Sequence, residues 1–489
     1  MKKVLILLIA LIYFPVWGQE NKWIKYYKPK KLVDIIYSSR INEHYDNGFV
    51  ISGWYGSSGT SSFIKKLDIN GNELWTKEIK EIASYISFCD HDVDSKGAIY
   101  AGGCTSYLKN GNDACLIKFN ACGEIEWGKI LSTNSKVDYI SDVFITQEGN
   151  CLVSINYRRG NGLDPISFFC FSSDGELLWR QYCEIQDQDL IGECIRHFIQ
   201  LPGGDLFISG SVYKKAPSDE EVGLLKALAM LCDSKGNVKW VKVPDWENVE
   251  EGYYFHKGLC GKASLNQKNL YQGLYFGDEE NKSRAGLVKW DRKGNLLGRY
   301  FMREKPKNGQ LNYIEFVEEN TIIASYGFVP FETEKRVSLN KSLSSRTLYK
   351  DLWNQKNINT EKANHSYAVL LDTLGNIKKK IPRNNYYSAK ICRTHNNKYL
   401  FYGQFKDEKE KINIVIEKYN SNLEFDSIYT QKRKYDYLCD HPIKYEMFDL
   451  SHFMVVGLED TPQQKELRSL NIFPNPFQDR ISIQLPEYI

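Results

Sequence analysis

A short segment that turns on glycine and ends in tryptophan recurs along this chain. It reads LDINGNELW at Leu67 to Trp75, FNACGEIEW at Phe119 to Trp127, FSSDGELLW at Phe171 to Trp179 and CDSKGNVKW at Cys232 to Trp240. The tryptophans are spaced by 52, 52 and 61 residues. A period of about 50 residues implies an array of similar units, each too small to bury its own apolar face.

One unit can be read in full from Ile86 to Leu131. Four β-prone runs, ISFCDHDVD, AIYAGG, ACLIKFN and EIEWGKIL, alternate with turns or loops rich in Gly, Asn, Asp and Lys. That is an antiparallel meander. A four-stranded sheet buries both faces only against neighbours, and radial stacking supplies them while leaving short edges. The expected fold is therefore an all-β propeller of four-stranded antiparallel blades. The tryptophan opens each outer strand, where its ring can pin one blade to the next and its indole N–H can reach a backbone carbonyl.

The second strand of the unit is the easiest to count. It recurs as FVISG at Phe49, IYAGG at Ile99, CLVSI at Cys151, LFISG at Leu206, LYQGL at Leu270, TIIAS at Thr321, YLFYG at Tyr399 and FMVVG at Phe453. Eight copies predict eight blades. The last is incomplete and is closed by strands from both chain ends, with NKWIKYYK at the start supplying a Trp-bearing outer strand. Seven blades with a terminal extension is the alternative. VGLLKALAML at Val222 has a helical composition but falls where a third strand belongs, and it is read as that strand.

The first 18 residues have the form of a secretory signal: Lys2 and Lys3, the apolar run Val4 to Trp17, and cleavage expected before Gln19. The propeller is expected over 19–460, with an insertion at about 329–366, a polar linker at 461–469 and a distinct segment at 470–489. No other run is long and apolar enough to span a membrane. The net charge is +3, with Lys and Arg dispersed. Without a basic stripe carrying interleaved aromatics, nucleic acid is not an expected partner.

The final segment, LNIFPNPFQDRISIQL, places Pro474, Asn475 and Pro476 after an aromatic and before the alternating Ile481, Ile483 and Leu485. It resembles the opening of the C-terminal (type A) sorting domain of the type IX secretion system of Bacteroidota. That resemblance implies an exported propeller, secreted or held at the cell surface, that engages the secretion machinery. The segment matches only the start of such a domain, and with an inactive signal the protein would remain periplasmic.

The chain has 12 Cys and 8 His. Disulfides Cys104–Cys115, Cys183–Cys194 and Cys151–Cys170 are the pairings considered, with connectivity left open. Cys89, Cys194, Cys260, Cys392 and Cys439 align on the first, innermost strands, as do His44, His91, His197, His256, His395 and His441. Cys89 with His91, Cys194 with His197, Cys392 with His395 and Cys439 with His441 are the candidate ligands should the channel hold zinc or copper. Packing is the plainer reading, since Cys is small and readily buried, and neither a metal nor a cofactor is predicted.

Asp68, Asn70 and Asn72 alternate as in a calcium loop, but Asn-Gly reads first as a hairpin turn. The Gly-x-x-x-Trp turn is similar to the tryptophan-docking repeat of quinoprotein dehydrogenase propellers and their non-enzymatic relatives, a likeness of blade construction and not of cofactor. Asp90 and Asp92 are read as solvated or turn carboxylates, and no catalytic residue is assigned. The insertion is rich in Lys, Arg, Asn and Ser and carries Tyr349, Leu352 and Trp353, which suits a partner-binding loop. The expectation is a monomeric binding or scaffolding module for a protein or glycan. The alternative is an enzyme or metal-binding protein that uses the channel Cys and His.

Overall fold

In a computed structural model, the chain forms seven antiparallel blades in a ring. The structure describes residues 22–457 except 29–35, 57–60, 80–85, 107–111, 133–137, 158–165, 184–189, 215–223, 245–252, 279–282, 303–308, 329–364, 385, 410, 440–446 and 449–453. The signal segment, the linker, the sorting motif and the aromatic insertion residues all lie outside the described residues.

Strand β1 is Ile24–Tyr27. Blade 1 is β2 (Ile36–Glu43), β3 (Phe49–Tyr55), β4 (Ser61–Leu67) and β5 (Glu73–Ile79). Blade 2 is β6 (Ile86–Val93), β7 (Ile99–Thr105), β8 (Asp113–Phe119) and β9 (Ile125–Ser132). Blade 3 is β10 (Asp138–Ile145), β11 (Cys151–Tyr157), β12 (Ile166–Phe171) and β13 (Leu177–Cys183). Blade 4 is β14 (Leu190–Gln200), β15 (Leu206–Lys214), β16 (Leu224–Cys232) and β17 (Val238–Lys242). Blade 5 is β18 (Tyr253–Ala263), β19 (Asn269–Asp278), β20 (Ser283–Asp291) and β21 (Leu296–Phe301). Blade 6 is β22 (Gly309–Glu318), β23 (Thr321–Phe328), β24 (His365–Asp372) and β25 (Ile377–Asn384). Blade 7 is β26 (Tyr386–Arg393), β27 (Tyr399–Lys406) and β28 (Ile412–Tyr419), and β1 completes it by pairing antiparallel with β28. The described part of the helical-looking segment at Val222, from Leu224 on, is strand β16, as read.

Each blade has apolar side chains on both faces, so the core is divided among the seams between blades. Val50 and Ile64 of blade 1 pack with Phe88, Ile99 and Ile117 of blade 2. Trp23, Leu400 and Ile416 of blade 7 pack with Phe49, Ile51 and Phe63 of blade 1, which closes the ring. Seven such clusters cover the seven seams.

The repeated Gly–Trp motif is the clamp of these seams. Trp23 Nε1 donates to Ile69 O at 2.9 Å, Trp127 Nε1 to Ser173 O at 3.0 Å and Trp240 Nε1 to Arg292 O at 3.0 Å. In each case the tryptophan of one blade lies against the turn of the next. The turn glycine there has positive φ, +82° at Gly175, and a Cβ would sit 2.9 Å from the Trp127 ring. Gly175→Ala therefore combines left-handed strain with a clash, and should destabilise the fold by about 1–3 kcal/mol in denaturant titration. Ala at Gly149, which also has positive φ but nothing within 4 Å, should cost less.

The eighth copy of the second-strand pattern is not a blade. Strands β29 (Met447–Phe448) and β30 (Met454–Gly457) add parallel to the outer edges of blade 1 and blade 2, β29 on β5 and β30 on β9. An apolar run such as FMVVG can add to an outer edge as well as pair within a blade, because the edge strand of a blade leaves a row of N–H and C=O groups open to a further strand. The N-terminal strand closes the ring as expected, but the C-terminal segment is a strap outside it.

The strap crosses the hairpin turns of blades 7, 1 and 2. Tyr429 OH accepts from Asn396 Nδ2, Tyr429 O from Asn70 Nδ2 and Tyr435 OH from Ile69 N. Cys439 then bonds to Cys122 in the β8–β9 turn, 317 residues away. Cys104 and Cys115 are not joined to each other, because Cys104 sits opposite Ala114 and Cys115 opposite Gly103, one residue out of register and so on opposite faces. Cys151 and Cys170 are not joined for the same reason. The side chains of Cys183 and Cys194 lie outside the described residues.

Candidate functional site: channel and loop face

The antiparallel order puts the two ends of every blade to different use. On one face, the connections between first and second strands and between third and fourth strands run two to five residues in blades 1 to 6. Their turns follow one pattern. Asp68 Oδ1 accepts from Asn70 N and Asn72 N, while Asn72 Nδ2 donates to Asp68 Oδ2. Asp233, Asp291 and Asp372 repeat it. The carboxylates are thus committed to the turn, which is the hairpin reading and not a calcium loop. This is also the face that the strap covers.

On the opposite face, the connections run from one residue to thirty-six. The longest joins β23 to β24 and carries Tyr349, Leu352 and Trp353. Variation in loop length on a fixed ring is where binding specificity is built.

The channel between the faces is lined by the first strand of each blade. In six of these strands the register slips by one residue at the same level, Ser38/Arg40, Phe88/Asp90, Ile140/Asp142, Ile195/His197, Gly258/Cys260 and Leu311/Tyr313, and in β26 it slips one residue earlier, at Tyr387/Ala389. A bulge re-aims the side chain that follows it. The positions Arg40, Asp90, Asp142, His197, Cys260 and Tyr313 are therefore equivalent around the axis, and Lys390, opposite Tyr402, takes the same place in β26.

Arg40, Asp90, Asp142, His197, Tyr313 and Lys390 form a polar plug, whereas Cys260 packs in the seam between blades 5 and 6. Arg40 Nη1 donates to Asp90 Oδ2 at 2.8 Å and lies 3.4 Å from Asp142 Oδ1. Asp90 Oδ2 also accepts from Val143 N at 2.9 Å, and Asp142 Oδ2 from Phe198 N at 2.8 Å. Each carboxyl so ties its blade to the backbone of the next. Burial opposes the charge on Asp90, but Arg40 and the bonds from Asp142 and Val143 outweigh it and hold its pKa below the usual carboxylate range. Burial and then Asp90 push Asp142 well above that range, so the pair shares one proton. Burial, then Lys262 and Arg40, keep His197 neutral. Its ring stands 6.2 Å from that of Tyr313, and Lys390 Nζ lies 5.7 Å from the Tyr313 ring centre.

The predicted ring of thiols and imidazoles is dispersed. Cys89 is the bulge residue of β6 and its Sγ lies 3.9 Å from Ser87 O. His91 is fully buried and bonds through Nδ1 to Ser52 of blade 1. Cys392 is on β26, whereas His395 is in the following turn, 76% exposed and paired with Glu43. Cys439 is not on an innermost strand; it is in the strap, oxidised to Cys122. His441 and the side chain of Cys194 lie outside the described residues. Among the described residues, no group of three or more His, Cys, Asp and Glu is arranged to hold a metal ion. Asp90 is not a solvated carboxylate either: it is 4% exposed and central to the plug. Arg40 and Asp142 were not singled out by sequence, although a charged residue at one level of successive inner strands is a signal that alignment of the units contains.

No family model matches the chain, and no curated protein matches it. Solved structures with a similar fold include a polysaccharide lyase of family PL25, an ulvan lyase. It has a TM-score of 0.50 and 8% identity over 78% of this chain and 94% of that one. A second structure of such an enzyme, bound to -[GlcA(1-4)Rha3S]-, aligns equally. A Dyadobacter fermentans protein of unknown function aligns with a TM-score of 0.43 and 9% identity over 67% and 93% of the two chains. At these identities the likeness is one of fold.

Proposed function

We propose that this protein is an exported binding module that engages a glycan or protein partner through its loop face. The observation that carries the reading is the division of the ring: one face has short, self-satisfied turns under a disulfide-anchored strap, while the other has connections of unequal length around the channel mouth. Tyr349, Leu352 and Trp353 provide aromatic and apolar contact on a Lys- and Arg-rich insertion, which suits an acidic ligand. The glycan arm takes further support from a fold relative that holds a disaccharide containing a uronic acid and a sulfated sugar. The signal segment and the Pro474–Asn475–Pro476 motif support export by the type IX route, with the mature protein secreted or at the surface and acting as a monomer.

The test is binding of the full chain to a panel of sulfated, uronic-acid and neutral polysaccharides. Trp353→Ala should weaken binding by about 2 kcal/mol, and replacing 331–362 with a short Gly-Ser linker should abolish it while the far-UV spectrum is unchanged. Binding that survives the replacement would remove the insertion from the site.

A further inference from the structure

Blade 1 encloses a reactive cluster that the binding reading does not use. Lys66 on β4 and Asp46 in the β2–β3 turn are both fully buried at the side chain, with Lys66 Nζ 2.6 Å from Asp46 Oδ1. His44 is also fully buried. Its Nε2 lies 2.8 Å from Gly97 O, and a carbonyl can only accept, so Nε2 carries the proton. That fixes the tautomer and leaves the Nδ1 lone pair facing Lys66 Nζ, with which it is hydrogen-bonded. Asp46 is held by two backbone donors: Gly48 N to Oδ1 at 2.9 Å and Asp436 N, from the strap, to Oδ2 at 3.2 Å. The Tyr45 ring covers the ammonium at 5.2 Å, and Tyr437 of the strap stacks edge-on against Tyr45.

We propose that Lys66 and Asp46 condense to a side-chain amide, an intramolecular isopeptide bond formed after folding. A nucleophile, an electrophile, a base and an oxyanion donor are all present within one dry pocket. Lys66 transfers a proton to His44 Nδ1, and the imidazole delivers it to Asp46 Oδ1, 3.9 Å away. The neutral amine attacks Asp46 Cγ and the C–N bond forms. Negative charge gathers on Oδ2 against the Asp436 N–H. His44 carries a second proton from Nζ to Oδ1, the C–O bond breaks, and Oδ1 leaves as water. Ammonium and carboxylate become an amide and one water, with no oxidant or cofactor required. Burial lowers the Lys66 pKa against the pull of Asp46, which favours the amine form the attack needs. Proximity supplies the rest, since the reacting groups are held in contact by the fold.

The expected result is an intact mass, for the denatured and reduced full chain, that is lower than its sequence mass by one water. A branched peptide joining the segments around Asp46 and Lys66 should survive denaturant and reductant. Lys66→Met should restore the full mass. Asp46→Asn should condense with loss of ammonia in place of water, and His44→Phe should slow condensation by at least tenfold. A wild-type chain at full mass, with Lys66 open to amine reagents once denatured, would show an ordinary buried ion pair and overturn the proposal. A mass loss that maps to other residues would overturn it equally.

Discussion

Trp23→Ala should open the ring. The side chain is fully buried, its Nε1 bonds Ile69 O of blade 1, its ring meets Phe49 edge-on at 6.1 Å, and Lys418 Nζ lies 5.9 Å from its centre. Its backbone is also paired, N to Asp426 O and O to Lys418 N. Truncation removes the largest apolar surface from the only seam where the two ends of the blade series meet. We expect a loss of about 3–5 kcal/mol, read from the denaturant midpoint. Trp127→Ala is the control, because Trp127 clamps a seam between blades that are consecutive in the chain and is only half-buried. It should cost less and leave β1 protected from proteolysis. Equal losses at the two positions would mean that closure by β1 adds nothing to an ordinary seam.

Arg40→Met should be the most damaging change in the channel. Arg40 is the cation that Asp90 and Asp142 share. Removing one partner of a buried charge cluster leaves the remainder uncompensated, at a cost of about 3–5 kcal/mol. The two carboxyls should then respond differently to amidation. Asp142 holds the shared proton, so Asp142→Asn mimics the native state and should be tolerated. Asp90→Asn removes the ionised partner and should not be. The pH dependence follows from the same directions. The folded pKa of Asp90 is depressed, so its contribution is present at neutral pH and is lost as the pH falls through that value. The folded pKa of Asp142 is raised, so its contribution is present in acid and is lost as the pH rises through it. In Asp142→Asn only the first limb should remain in a stability–pH curve.

The blades were readable from sequence because the Gly–Trp unit carries its own reason for recurring: a left-handed turn, and a ring that docks on the turn of the next blade. The same local rule let Val222 to Leu231 be read as strand against its composition. Blade number was not readable in that way. FMVVG is a strand in either reading, and only its partner, β9 instead of an inner strand, separates seven blades from eight. Cysteine behaved similarly. Sequence proximity favoured Cys104 with Cys115, but pleat parity placed them on opposite faces, while Cys122 found Cys439 through a strap whose path no local pattern encodes. Asp90 was visible as a charge, yet its burial depends on a bulge and on Arg40, which is 50 residues away.

The proposed division of the ring into a sealed turn face and a receptive loop face is tested most directly by hydrogen exchange with and without a polysaccharide that the panel shows to bind. The account predicts protection confined to the loop ends, chiefly 107–111, 158–165, 215–223, 245–252 and 329–364. Protection centred on the strap at 426–439 and the turns beneath it would contradict it.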